Sequence, residues 1–147
     1  MAVMMEPARM TVNGKAYELR LGLIEKTMLG QEDHGIYTAY LYLDYGSSVQ
    51  GAGGLFLDTN GDDGANDGTP YSKRRRGTAF GMDWIMRVIE TVGAEDWEHL
   101  AGKRVYAMIP DGDYLVRGLA NVKSPEFHYL IFDELTAEFR KEDGTLR

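Results

Sequence analysis

The stretch from Ala79 to Val92 constrains the fold of this chain more than any other. Trp84, Ile85, Val88, Ile89 and Val92 recur at three- and four-residue spacing and make one apolar stripe. Thr78 stands where a helix N-cap belongs, and Gly93 stands where a helix stops. A helix with a single stripe must lay it on something, and the segments on either side read as strands. The expected fold is therefore α+β. It has an antiparallel sheet of about five or six strands, the main helix 79–92 packed on one face, and a short C-terminal helix.

The strands are read from alternation. Asn13-Gly14 is a turn signal, and Tyr17 to Met28 follows it with Leu19, Leu21, Leu23 and Glu25 on one face. Gly30 to Gly35 is a polar break. Ile36 to Tyr45 forms a second strand, with Tyr37, Ala39, Leu41, Leu43 and Tyr45 on the core side. Leu55 to Asp58 is a further short strand. Lys103 to Ile109 and Tyr114 to Val122 make a second hairpin around Asp111-Gly112. Tyr129 to Phe132 reads as a last strand, and Asp133 to Arg140 as the terminal helix. One domain over 1–147 is expected, with a loosely ordered arm at 1–10 and a flexible Gly/Asp/Asn loop at 59–72.

Composition narrows the function classes. The net charge is −7, from 16 basic and 23 acidic side chains, which argues against binding nucleic-acid polymers. The chain has no cysteine, so it can form neither a disulfide nor a thiolate metal site. No apolar run approaches the roughly 20 residues of a membrane span, and Met1 to Met10 does not read as a secretory signal. A cytoplasmic protein is expected.

Against that acidic background stands Arg74-Arg75-Arg76-Gly77-Thr78, directly before the helix. A helix start offers unpaired N–H groups and partial positive charge, and arginine forks match phosphate oxygens. The pattern points to a phosphate-bearing small ligand held by Arg76 and Thr78. The same basic run could instead neutralise Asp58, Asp62, Asp63 and Asp67. Glu32-Asp33-His34 resembles acid–base equipment, but no nucleophile stands at a recognisable spacing from it. Ligand contact or an intersubunit hydrogen bond by His34 is the better reading. Asp58 to Gly64 has oxygen donors at positions one, three and five of a calcium loop. Asp63 and Thr69 occupy the positions where such a loop has glycine and glutamate. No metal ligands, cofactor or catalytic residues are assigned. Gln50, in a glycine-rich segment, could read a base or ribose edge. Arg104, Tyr106, Arg117 and Asn121 lie on strand faces of the second hairpin, where arginines and amides can meet phosphates and purine edges.

A series of short motifs runs through the middle of the chain. It comprises Thr27-Met28-Leu29-Gly30, Glu32-Asp33-His34-Gly35, Asp44-Tyr45-Gly46, Gln50-Gly51, Gly53-Gly54, Gly77-Thr78 and Gly81-Met82. Val92-Gly93, Trp97-Glu98, Leu100 and Gly102-Lys103 complete it. In this order they resemble the first family of Thoeris anti-defence proteins, small phage-encoded proteins. The resemblance covers about Ile24 to Val105, and Asp58 to Lys73 is longer than the family pattern. It implies a sponge, not an enzyme. Such a protein holds cyclic ADP-ribose isomers made by bacterial immune TIR enzymes, with cyclic oligonucleotides as possible further ligands, in homo-oligomers such as dimers or hexamers. For such a ligand the chemistry of the residues would give phosphate to Arg76 and Thr78. The base would stack on Phe80, Tyr45 or Tyr106, and sugar hydroxyls or base edges would go to Gln50 and Asn121. Two other readings compete with this one. An acidic protein–protein inhibitor of a host defence enzyme would use the Asp58 to Asp67 cluster, and a cyclic-nucleotide hydrolase would use Glu32 and His34.

Overall fold

The computed structural model describes residues 8–33, 35–60, 75–140 and 147. Its first two strands are β1 (Ala8–Val12) and β2 (Lys15–Asp33). Val12 faces Lys15 across a two-residue turn in which Asn13 and Gly14 both have positive φ, 50° and 79°. That backbone twist suits a right-twisted hairpin, and Asn-Gly adopts it at little cost. Ala8 to Met10 therefore belong to a strand, where a loose arm was expected.

β2 continues to Asp33, through the expected polar break, and pairs antiparallel with β3 (Ile36–Asp44). The register slips between Ile24 and Lys26, opposite Leu43 and Tyr42. The extra residue, Glu25, reverses which β2 side chains face the core. Before it, Ile24 is opposite Leu43; after it, Thr27 is opposite Leu41 and Leu29 is opposite Ala39. Ala39, Leu41 and Leu43 are all buried, as their alternation predicts.

β4 (Val49–Gly53) adds to the free side of β3. A separate two-stranded ribbon follows, β5 (Asp58–Asn60) with β6 (Arg75–Gly77). The strand expected at Leu55 to Asp58 thus starts only at its last residue, and Arg75 and Arg76 themselves lie in a strand. Helix α1 spans Ala79–Val92, the range its periodicity predicts. β7 (Arg104–Pro110), β8 (Gly118–Ala120), β9 (Tyr129–Ile131) and helix α2 (Phe132–Phe139) complete the described chain. The main sheet has seven strands, one more than the upper expectation, in the order β4-β3-β2-β7-β8-β9, with β1 also on β2. Every pairing is antiparallel.

The main core lies between this sheet and the helices. Phe80, Trp84 and Val88 of α1 are fully buried against Ile24, Leu41, Val105 and Leu119. Burying each such side chain stabilises by about 1.5–3 kcal/mol. Trp84 also meets Phe132 and Trp97, at ring-centroid distances of 5.8 and 6.5 Å. The alternate residues Tyr106 and Met108 of β7 face the other way. There they join Tyr17, Leu19, Ala120 and Ile131 in a second, smaller cluster. Among the described residues no helix is long and apolar enough to cross a membrane.

Candidate functional site

The ribbon β5–β6 and the first turn of α1 form one wall of a cavity of about 310 Å³. Leu29 of β2 and Tyr37 of β3 form the facing wall, and Leu57, Met82 and Ile85 supply further apolar lining. Leu29, Tyr37 and Met82 are each more than two-fifths exposed, so the apolar surface continues out of the mouth.

The polar side of the cavity is built on Asp58, which is buried. Its carboxylate accepts two hydrogen bonds from Arg75, from Nε at 2.7 Å and from Nη2 at 2.8 Å. It also accepts one from the Tyr37 main-chain N–H at 3.2 Å. This two-point contact fixes the Arg75 fork, and the hydrogen bonds it donates to Asp58 push the Arg75 pKa above its ordinary value. Part of the basic run does neutralise part of the acidic one, as the charge-balance reading had it. Asp58 is thereby unavailable as a surface acid for an inhibitor, and its oxygens are already engaged against any calcium-loop role. Asp62, Asp63 and Asp67 lie outside the described residues.

Arg76 is exposed and lines the same cavity, where a phosphate ligand was expected to need it. Thr78 lines it too, but its hydroxyl is committed to the fold. It accepts from Gly81 N–H at 2.9 Å as the helix N-cap and donates to the Leu57 carbonyl at 3.1 Å. The next amide, Phe80 N–H, donates to the main-chain oxygen of Arg147 at 2.9 Å. The amides of Phe80 and Gly81 are therefore satisfied within the chain, and the helix start does not offer them to an anion. The Thr78 hydroxyl and these two amides, expected to meet a phosphate, are thus engaged within the fold.

The other expected site residues are dispersed. Phe80 is fully buried and packs edge-on to Phe139, at 6.1 Å between centroids, so it cannot stack on a base. Tyr45 and Gln50 do meet: Tyr45 OH donates to Gln50 Oε1 at 2.7 Å, and Gln50 Nε2 donates to the Tyr114 carbonyl at 2.7 Å. Arg20 lies 5.2 Å from the Tyr45 ring centroid. Burial raises the Tyr45 pKa, while the Arg20 charge works against that rise. These side chains tie β4 to the loop after β7, and neither lines the cavity beside Arg76. Tyr106 packs against the second cluster, on the opposite face of the sheet from α1. Arg117 stands 3.7 Å from Asp113 in an exposed pair. Asn121 caps the other end of α1. Its Nδ2 donates to the Thr91 carbonyl at 3.0 Å, and its Oδ1 accepts from Lys123 N–H at 2.9 Å. His34 lies outside the described residues, so the acid–base reading of Glu32 and His34 receives no geometry.

Of the nine expected ligand residues, the cavity thus brings together Arg76 and Thr78. Sequence reading missed Tyr37, Leu29 and Met82 as lining. Tyr37 was placed with the core side of β3, and only its position near the end of the strand signals exposure. Met82, three residues after Ala79, falls outside the apolar stripe of α1, a signal that sequence alone does carry. Comparison with protein-family models, with curated proteins and with solved structures finds no match for the chain.

Proposed function

We propose that the protein is a non-enzymatic binding protein that takes up a cyclic ADP-ribose-type nucleotide and holds it intact. This is the reading its motifs suggest by resemblance to the first family of Thoeris anti-defence proteins. The observation that supports it is the pairing of Arg76 with an apolar, tyrosine-bearing wall in a single cavity. A guanidinium at the rim suits pyrophosphate oxygens, and Tyr37 offers a partly exposed ring for a base. The Asp58–Arg75 contact fixes the strand that carries Arg76.

The cavity volume lies at the lower end of the roughly 300–1,000 Å³ that encloses drug-sized ligands. A cyclic dinucleotide-like ring would fill it and protrude. Slow release needs the protruding part covered, so a homo-oligomer in which a second copy closes the mouth is part of the proposal, as is action in the cytoplasm of an infected cell.

A thermal-shift titration with cyclic ADP-ribose and its isomers tests this. Ligand at a hundredfold excess over its Kd stabilises by about 2.7 kcal/mol, and Arg76→Ala should remove most of that shift. Heat-denatured complex should release the compound unchanged. Recovery of a converted product, or a shift that Arg76→Ala leaves intact, sinks the proposal.

A further inference from the structure

Tyr37 and Arg76 stand on facing walls of the cavity, and the two walls belong to different sheets. Among the described residues the ribbon β5–β6 shares no strand ladder with the seven-stranded sheet. Each of its strands has three residues, too few to hold a fixed pose unaided. Leu57 and Asp58 join it to β3. Leu57 N–H donates to the Tyr37 carbonyl at 2.9 Å, and Asp58 Oδ1 accepts from Tyr37 N–H at 3.2 Å. Both main-chain groups of Tyr37 are thus taken by two consecutive residues. The same Oδ1 accepts from Arg75 Nη2 at 2.8 Å, and Oδ2 accepts from Arg75 Nε at 2.7 Å. One carboxylate therefore holds the strand of Tyr37 on one side and the residue before Arg76 on the other.

Stability alone does not explain this arrangement. The Asp58 side chain is only 3% exposed and that of Arg75 23%. Taking a carboxylate out of water is unfavourable, and apolar residues of similar size commonly serve stability as well as a buried ion pair does. What apolar packing does not supply is direction. A fork bonded at two points, to an acceptor that is itself bonded to β3, restricts β6 to one orientation against β3.

We propose that Asp58 is a positioning residue of the cavity, on the reading that the cavity takes a nucleotide: it sets the separation of Tyr37 and Arg76 so that one ligand meets both at once. Two groups held at a fitting distance act as linked binding modules, and the second contact forms at high effective concentration. When Asp58 no longer holds both walls, the ribbon turns on β3, and a ligand engages the ring or the guanidinium but not the two together.

Calorimetric titration of cyclic ADP-ribose and its isomers into the full chain tests this, with Tyr37→Leu and Arg76→Gln each made in the wild-type and Asp58→Asn backgrounds. In wild type each change is expected to weaken binding at least about tenfold. Asp58→Asn should itself bind at least about tenfold more weakly than wild type, and in that background each change should cost less than about threefold. A carboxylate that merely keeps the chain folded gives a different pattern, because both losses then keep their size in every folded molecule. The titrations are run where far-UV circular dichroism shows each variant folded. If Asp58→Asn does not fold, Arg75→Lys takes its place, since lysine keeps the charge and loses the fork; the same shrinkage of the two losses is expected. Asp58→Asn binding as tight as wild type overturns the proposal, as do undiminished losses in either background variant. Both results leave the nucleotide reading standing. Absence of binding to wild type overturns that reading and this proposal together.

Discussion

Gly81→Ala sets two physical rules against each other. Gly81 lies in the first turn of α1, and replacing a helical glycine by alanine ordinarily stabilises by about 0.8–1 kcal/mol. In this fold an added Cβ at Gly81 would stand 2.1 Å from the Leu57 carbonyl oxygen and 2.8 Å from the Leu57 Cα. Ordinary contact begins at 3.4 Å, so the helix start would have to retreat by about 1.3 Å. That carbonyl accepts both the Thr78 N–H, at 3.2 Å, and the Thr78 hydroxyl. The retreat strains two hydrogen bonds of about 1 kcal/mol each, loosens an N-cap of similar worth, and adds overpacking of about 1–3 kcal/mol. After subtracting the propensity gain, the net expectation is a loss of about 3–5 kcal/mol. Urea unfolding of the wild type, Gly81→Ala and Gly77→Ala measures it. A Cβ at Gly77 meets nothing within 4 Å, so that variant should stay within about 0.5 kcal/mol of wild type. A Gly81→Ala protein as stable as the parent, or more stable, would show that α1 does not abut Leu57 as described. The Arg76 cavity, which both residues line, would then have a different wall.

Three further outcomes follow from the same contacts. Asp58→Asn should destabilise by about 2–3 kcal/mol, because the partly covered Arg75 fork loses its carboxylate; the double change Asp58→Leu/Arg75→Met should recover much of this, and a neutral single variant would contradict the buried pairing. Asn121→Ala should cost about 1–2 kcal/mol and speed amide hydrogen exchange in the last turn of α1; unchanged exchange there would refute its capping role. Tyr45 holds its proton above the ordinary value of 10.0 because it is half-buried. The folded state therefore keeps a proton that the unfolded chain releases, and the associated stability is complete below pH ~10 and disappears as pH rises through the folded pKa. Absorbance at alkaline pH should show a late-ionising tyrosine that Tyr45→Phe removes.

What could be read from the chain and what could not divide along the range of the forces involved. Thr78, Gly93 and the apolar stripe between them act within a few residues, so α1 and its caps were legible to the residue. Asn13-Gly14 fixes its turn in the same way, although the strand before it was taken for an arm. Alternation in Ala39, Leu41 and Leu43 correctly identified the buried face of β3. It could not reveal the bulge at Glu25, because an extra residue is defined by the partner strand. The arginine run announced a cationic feature. Only packing decided that Arg75 turns to Asp58, that Thr78 is occupied by its own helix and Leu57, and that Phe80 belongs to the core. The candidate site was legible as an arginine and not as a cavity, since Tyr37, Leu29 and Met82 come from three separate elements.

The amino-acid order by itself determined the helix, the antiparallel strands flanking it and the acidic character of the surface. Each of these follows from local propensity, periodicity or summed charge. The tertiary structure alone decided which polar groups remain on offer to a ligand. A hydrogen-bonding group can be spent only once, and its partner is chosen by contacts that are remote in sequence.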